Sequence, residues 1–160
     1  MSPLPPTSLR LTRRHALTGA LLLAARAALA QPTATEEQLK AIYLVRFPQN
    51  VQWPADTFKT EKEPVVIGIL GKDPFGPELD ALANKVKVNA RQILPRRLRS
   101  VEDAGGCHVL YISESETPRL AAILEALRGK PVFTVGETAD FIKLGGILRF
   151  WRSGDKIALH

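Results

Sequence analysis

Val65-Val66-Ile67-Gly68-Ile69-Leu70-Gly71-Lys72-Asp73-Pro74-Phe75-Gly76 decides the fold. Val65 to Leu70 is a short, nearly continuous apolar run rich in β-branched residues. Such a run marks a strand covered on both faces, the usual situation of a parallel strand in an α/β domain. Gly71 closes the strand, Asp73-Pro74 turns the chain, and Gly76-Pro77 leads into a helical stretch, Glu78 to Asn84. Two similar runs follow, Cys107 to Ser113 and Val132 to Val135. Strand and helix alternate, which predicts right-handed βαβ units. The expected fold is a single α/β domain: a mostly parallel sheet, helices on both faces and an antiparallel hairpin at one edge.

Working outward towards the N-terminus, Thr57 to Pro64 is rich in Lys and Glu and reads as an exposed loop. Trp53, just before Pro54, is placed to pin a preceding helix to the sheet. That helix starts at a capping box, Thr35 with Gln38 three residues on. It carries Leu39, Ile42, Tyr43, Val45 and Phe47 at helical spacing, and Pro48 ends it. Towards the C-terminus, Lys85 to Arg99 holds six basic residues and no acid, with a short strand expected near Val88 to Leu94. Pro95 confines that strand to an edge. Ser115-Glu116-Thr117-Pro118 starts a helix whose apolar stripe is Leu120, Ile123, Leu124 and Leu127, with Gly129 as its C-cap. Thr138 to Lys143 reads as one or two helical turns. Ile147 to Arg152 and Lys156 to His160 form a hairpin about Ser153-Gly154-Asp155.

The 160 residues suffice for one sizeable core, and 45% are apolar. The charge of +6 is concentrated in the first 30 residues, which hold Arg10, Arg13, Arg14 and Arg26 and no acid. Without those four, 18 basic residues face 16 acidic ones, a net of +2. The domain itself gives no case for nucleic acid. Residues 1–30 read as a signal peptide: a positive n-region, a short apolar run from Ala16 to Ala25, and Ala28-Leu29-Ala30 before Gln31. The apolar run is too short to span a bilayer, so direct membrane insertion is not expected. Thr12-Arg13-Arg14-His15-Ala16-Leu17 resembles a twin-arginine signal, with Ala16 where Phe is usual. Both export routes stay open.

Catalytic motifs are missing. The glycines do not make G-x-G-x-x-G, and Gly71-Lys72 is followed by Asp73 rather than Ser or Thr. No G-x-S-x-G elbow and no His-x-x-x-His pair occur. Cys107, the one cysteine, excludes an internal disulfide and reads as a packed thiol. Cys107 and His108 are adjacent on a strand, so they point to opposite faces and do not pair as nucleophile and base. No enzyme activity, metal or cofactor is expected. Arg91 and Arg97 are the anion-binding candidates within the basic stretch. The stretch also reads as a charged edge that resists aggregation.

Several motifs in order then point to a family. They are Ala41-Ile42-Tyr43-Leu44 through Phe47 to Val51-Gln52-Trp53-Pro54; Ile67 to Gly71 with Asp73-Pro74-Phe75-Gly76; and Cys107 to Ser113. Pro131 to Val135 and Phe141 through Gly145-Gly146-Ile147 complete the set. From about Leu39 to His160 the chain resembles the YfiR-like family of exported bacterial proteins. The resemblance implies residues 31–160 to be a YfiR-like α/β domain, C-terminally truncated relative to the family. It implies a non-enzymatic periplasmic regulator that binds the periplasmic sensor domain of a membrane diguanylate cyclase and represses it, lowering cyclic-di-GMP signalling. It also allows a homodimer. Tyr43 and Phe47 on the first helix, with Arg149 and Trp151 on the late strand, are the partner-binding candidates. The alternative is an exported small-ligand binding module with no cyclase partner.

Overall fold

The computed structural model describes residues 34–154 and 156–160. The signal-peptide reading and the turn residue Asp155 lie outside the described residues.

Strand β1 is Val65–Leu70, and all six of its residues are buried. Its side chains alternate between two cores. Val65, Ile67 and Ile69 point into one with α1 (Glu36–Arg46) and α2 (Pro77–Ala83). Val66 and Leu70 point into the other with α3 (Leu120–Leu127). This is the doubly covered strand that the apolar run predicts, and each such side chain stabilises the fold by about 1.5–3 kcal/mol. Gly68 is required by close approach: an added Cβ would lie 2.8 Å from Leu110 Cδ1 and 2.9 Å from Cys107 Sγ.

The other strands are β2 (Lys87–Val88), β3 (Arg91–Leu98), β4 (Val109–Ile112), β5 (Phe133–Gly136), β6 (Leu148–Ser153) and β7 (Lys156–Leu159). They form one sheet in the order β2-β3-β1-β4-β5-β6-β7. From β3 to β6 neighbouring strands are parallel, and the outer pairs β2–β3 and β6–β7 are antiparallel. The chain leaves β1 for β3 on one side and returns to β4 on the other. The strand order therefore reverses about β1, and the crevice at the carboxyl ends there is where open α/β sheets hold ligands.

Helix α1 has the capping box read from Thr35 and Gln38. Thr35 Oγ1 accepts from the Gln38 N–H at 3.2 Å, and Gln38 Oε1 accepts from the Thr35 N–H at 2.9 Å. Three local expectations are corrected. The strand placed near Val88 to Leu94 is two strands, because Asn89 (φ 49°) and Ala90 (φ 68°) make a tight hairpin turn. β3 then runs on to Leu98. β2 pairs only with Arg91 and Gln92, so Pro95 lies on a stretch whose outer side has no partner among the described residues. Pro118 falls inside a 3-10 helix, Glu114–Arg119, and α3 begins only at Leu120. Thr138 to Lys143 forms turns rather than a helix. Its N–H groups reach back unevenly, Phe141 to Thr138, Leu144 to Asp140 and Gly146 to Phe141, as the chain wraps the buried Phe141 ring.

Candidate functional site

A cleft of about 630 Å³ opens at the carboxyl ends of β1, β4 and β5. Tyr111 and Ser113 come from the end of β4, Glu137 from just after β5, and Lys40 from the first turns of α1. Arg149 and Trp151 of β6 close it on one side.

The floor is a connected polar network. Lys40 is buried, and its Nζ bonds Glu36 at 2.6 Å and Glu137 at 2.5 Å. The Tyr111 hydroxyl donates to the other oxygen of Glu137. Arg152 adds a 3.4 Å ion pair to Glu36. Burial pushes the Lys40 pKa down, but the bonds to Glu137 and Glu36 outweigh it and leave the group above its ordinary value. Burial, reinforced by the Glu137 charge, holds the Tyr111 phenol above its ordinary range. The hydrogen bond from Lys40 lowers Glu36. Lys40 thus stays charged and Tyr111 protonated at neutral pH. The floor therefore presents a fixed pattern of charge to the cleft.

The partner candidates gather around α1 and β6. Tyr43 stacks on Phe47 with centroids 6.1 Å apart, and both rings pack against Phe150 at 6.3 Å. Phe150 is buried beneath them, flanked in sequence by Arg149 and Trp151 on the cleft. Tyr43 is 37% exposed and Trp151 43%. Arg149 donates from Nη1 to the Ala139 carbonyl at 2.6 Å, and its buried Nε has no partner among the described residues.

Arg91 and Arg97 lie apart from this group, on β3. Arg97 bonds Asp73 at 2.9 Å, Asp80 at 2.7 Å and the Gly76 carbonyl at 2.8 Å. Those contacts, Asp80 foremost, raise its pKa, and Arg97 lowers that of Asp80. Arg91 donates to the carbonyls of Thr60 and Glu63. Arg97 therefore ties β3 to α2 and the turn before it, and Arg91 ties β3 to the loop ahead of β1. Cys107 is buried in the α3-side core, and burial raises its thiol pKa. His108 faces the other way, beside Trp53. Among the described residues no cluster of three or more His, Cys, Asp or Glu could hold a metal. No described helix is long and apolar enough to cross a membrane.

The family model described as YfiR/HmsC-like matches residues 37–160. The chain belongs to the YfiR/HmsC-like family. None of the curated proteins matches it. Membership suggests a periplasmic regulator of a diguanylate cyclase. The matched range opens in α1 and runs through β7, so the cleft and nearly all of its polar floor fall within the YfiR/HmsC-like domain. Lys40, Tyr111 and Glu137 were not singled out by sequence. One signal was available: Lys40 falls one turn before Leu44 on the face of α1 that Ala41, Leu44 and Val45 bury. A lysine there calls for an acidic partner.

Proposed function

We propose that the chain is exported, loses residues 1–30, and represses a membrane diguanylate cyclase by binding its periplasmic sensor domain, with no chemistry of its own. The observation that carries this reading is the match of residues 37–160 to the YfiR/HmsC-like family. Such a repressor must bind the inactive cyclase more tightly than the active one. A shift from mostly active to mostly inactive takes roughly 3–5 kcal/mol of differential affinity. With a domain net charge of only +2, apolar and aromatic contacts supply most of it. Tyr43, Phe47, Arg149 and Trp151 are the proposed contact residues. Deleting the gene should raise cyclic-di-GMP. The exported protein should restore the low level, and a form lacking residues 1–30 should not. Unchanged cyclic-di-GMP on deletion, in cells that express the protein, overturns the reading.

The cleft favours a second reading, an exported module that binds a small polar ligand at the carboxyl ends of the strands. A neighbouring gene for a membrane cyclase separates the two, since only the first reading calls for one.

A further inference from the structure

His108 lies at the amino-terminal end of β4, beneath the segment 51–64 that links the first helices to β1, and is 5% exposed. Its Nδ1 accepts the Val66 N–H at 3.0 Å. With Nδ1 accepting, the ring proton is on Nε2. Phe58 stacks on the imidazole at 4.5 Å and 12°, and Trp53 meets it edge-on at 5.9 Å. On β3, the Arg91 guanidinium lies 4.0 Å from the Phe58 ring centre. The same group donates to the Thr60 and Glu63 carbonyls at 2.6 and 2.9 Å. Within the segment the backbone makes turns, Thr57 to Pro54 and Glu63 to Thr60, rather than a ladder. Side chains hold it to the domain, and His108 is the titratable one at the centre.

We propose that residues 51–64 are a strap that acid releases, with His108 as its latch. A solvent proton can settle only on Nδ1, where it evicts the Val66 N–H and leaves that buried donor without an acceptor. It also puts a second cation against the Phe58 ring that the Arg91 guanidinium already covers. Burial, the largest influence, keeps the ring neutral by lowering its pKa. Glu63 on the strap and the Thr57 hydrogen bond act the other way, and Arg91 sides with burial. From β1 and β5 the ring's residue meets backbone: the Val66 carbonyl accepts the His108 N–H at 2.9 Å, and Phe133 N–H donates to the His108 carbonyl at 2.8 Å. The sign follows from the depressed value. The strap is fully held above the ordinary histidine pKa near 6.5, and its hold is lost as pH falls below it. Between the free and latched pKa values each pH unit shifts the balance tenfold.

The test uses the exported chain with Trp151→Phe, so that Trp53 alone reports. Its emission and hydrogen exchange at residues 51–64 are followed between pH 8 and about 4.5. A reversible red shift and loss of protection below about pH 6, with far-ultraviolet dichroism unchanged, is the expected result. His108→Asn should abolish the acid step, and His160→Gln should leave it in place. If His108→Asn does not fold, the His108 ring titration by NMR in the otherwise unaltered chain must share its midpoint with strap release. Emission and exchange flat across that range, the same step in His108→Asn, or release only together with global unfolding each overturn the proposal.

Discussion

The Phe141 ring fills the space that side chains at Gly136 and Gly146 would occupy. A Cβ built at either glycine overlaps ring carbons of Phe141, which is fully buried. Neither glycine has a positive φ, so the requirement is steric. Gly146→Ala should cost about 1–3 kcal/mol by overpacking. Shrinking the ring with Phe141→Leu should recover part of that in the double variant, a coupling that urea denaturation measures. Full additivity would mean that the ring does not depend on the glycine.

Ile67 and Ile69 are fully buried under α1 and α2. Ile67→Ala and Ile69→Ala should each cost on the order of 2–5 kcal/mol. Losses below about 1 kcal/mol at both would contradict a strand covered on two faces.

Those two residues also show why the fold was legible. An apolar run without alternation has one common structural explanation, and Val65 to Leu70 meets it. The capping box at Thr35 was legible for the same reason, since both hydrogen bonds lie within four residues. The hairpin at Asn89-Ala90 was not, because Ala90 adopts a positive φ that its type disfavours. Long-range polar contacts were hidden too. Lys40 and Glu137 are 97 residues apart, and the place of Lys40 on the buried face of α1 calls for an acid without saying which one. Arg97 reads from sequence as an anion-binding candidate; in the fold its guanidinium is engaged by Asp73 and Asp80, partners set by the β1–α2 connection.

That connection gives a further test. Arg97→Gln should loosen the turn after β1 and cost about 0.5–1 kcal/mol, a small figure because the side chain is 38% exposed. High salt should shrink the difference. NMR titration should find the Asp80 carboxyl returned towards its ordinary pKa in the variant. An unchanged Asp80 would show that Arg97 does not set it.

The polar floor of the cleft makes the strongest demand on the fold. Lys40→Met removes the cation shared by Glu36 and Glu137 and leaves the Glu137 carboxylate with the Tyr111 hydroxyl. Breaking a buried pair from one side costs about 3–5 kcal/mol, and partial exposure of both glutamates reduces this to about 2–3 kcal/mol. Replacing both ends, Lys40→Met with Glu137→Leu, should restore much of the loss, because no uncompensated charge then remains. The pH dependence is signed by the same groups. Lys40 and Tyr111 both have raised pKa values, so the folded chain keeps protons that the unfolded chain releases above about pH 10. Stability is therefore full below that point and falls as pH rises beyond it. In Lys40→Met the alkaline fall should be shallower, since one of the two retained protons is gone. Denaturant midpoints collected from pH 7 to 11 measure both effects. A Lys40→Met chain as stable as the parent at pH 7, with an identical alkaline limb, would show that the lysine does not hold the floor together.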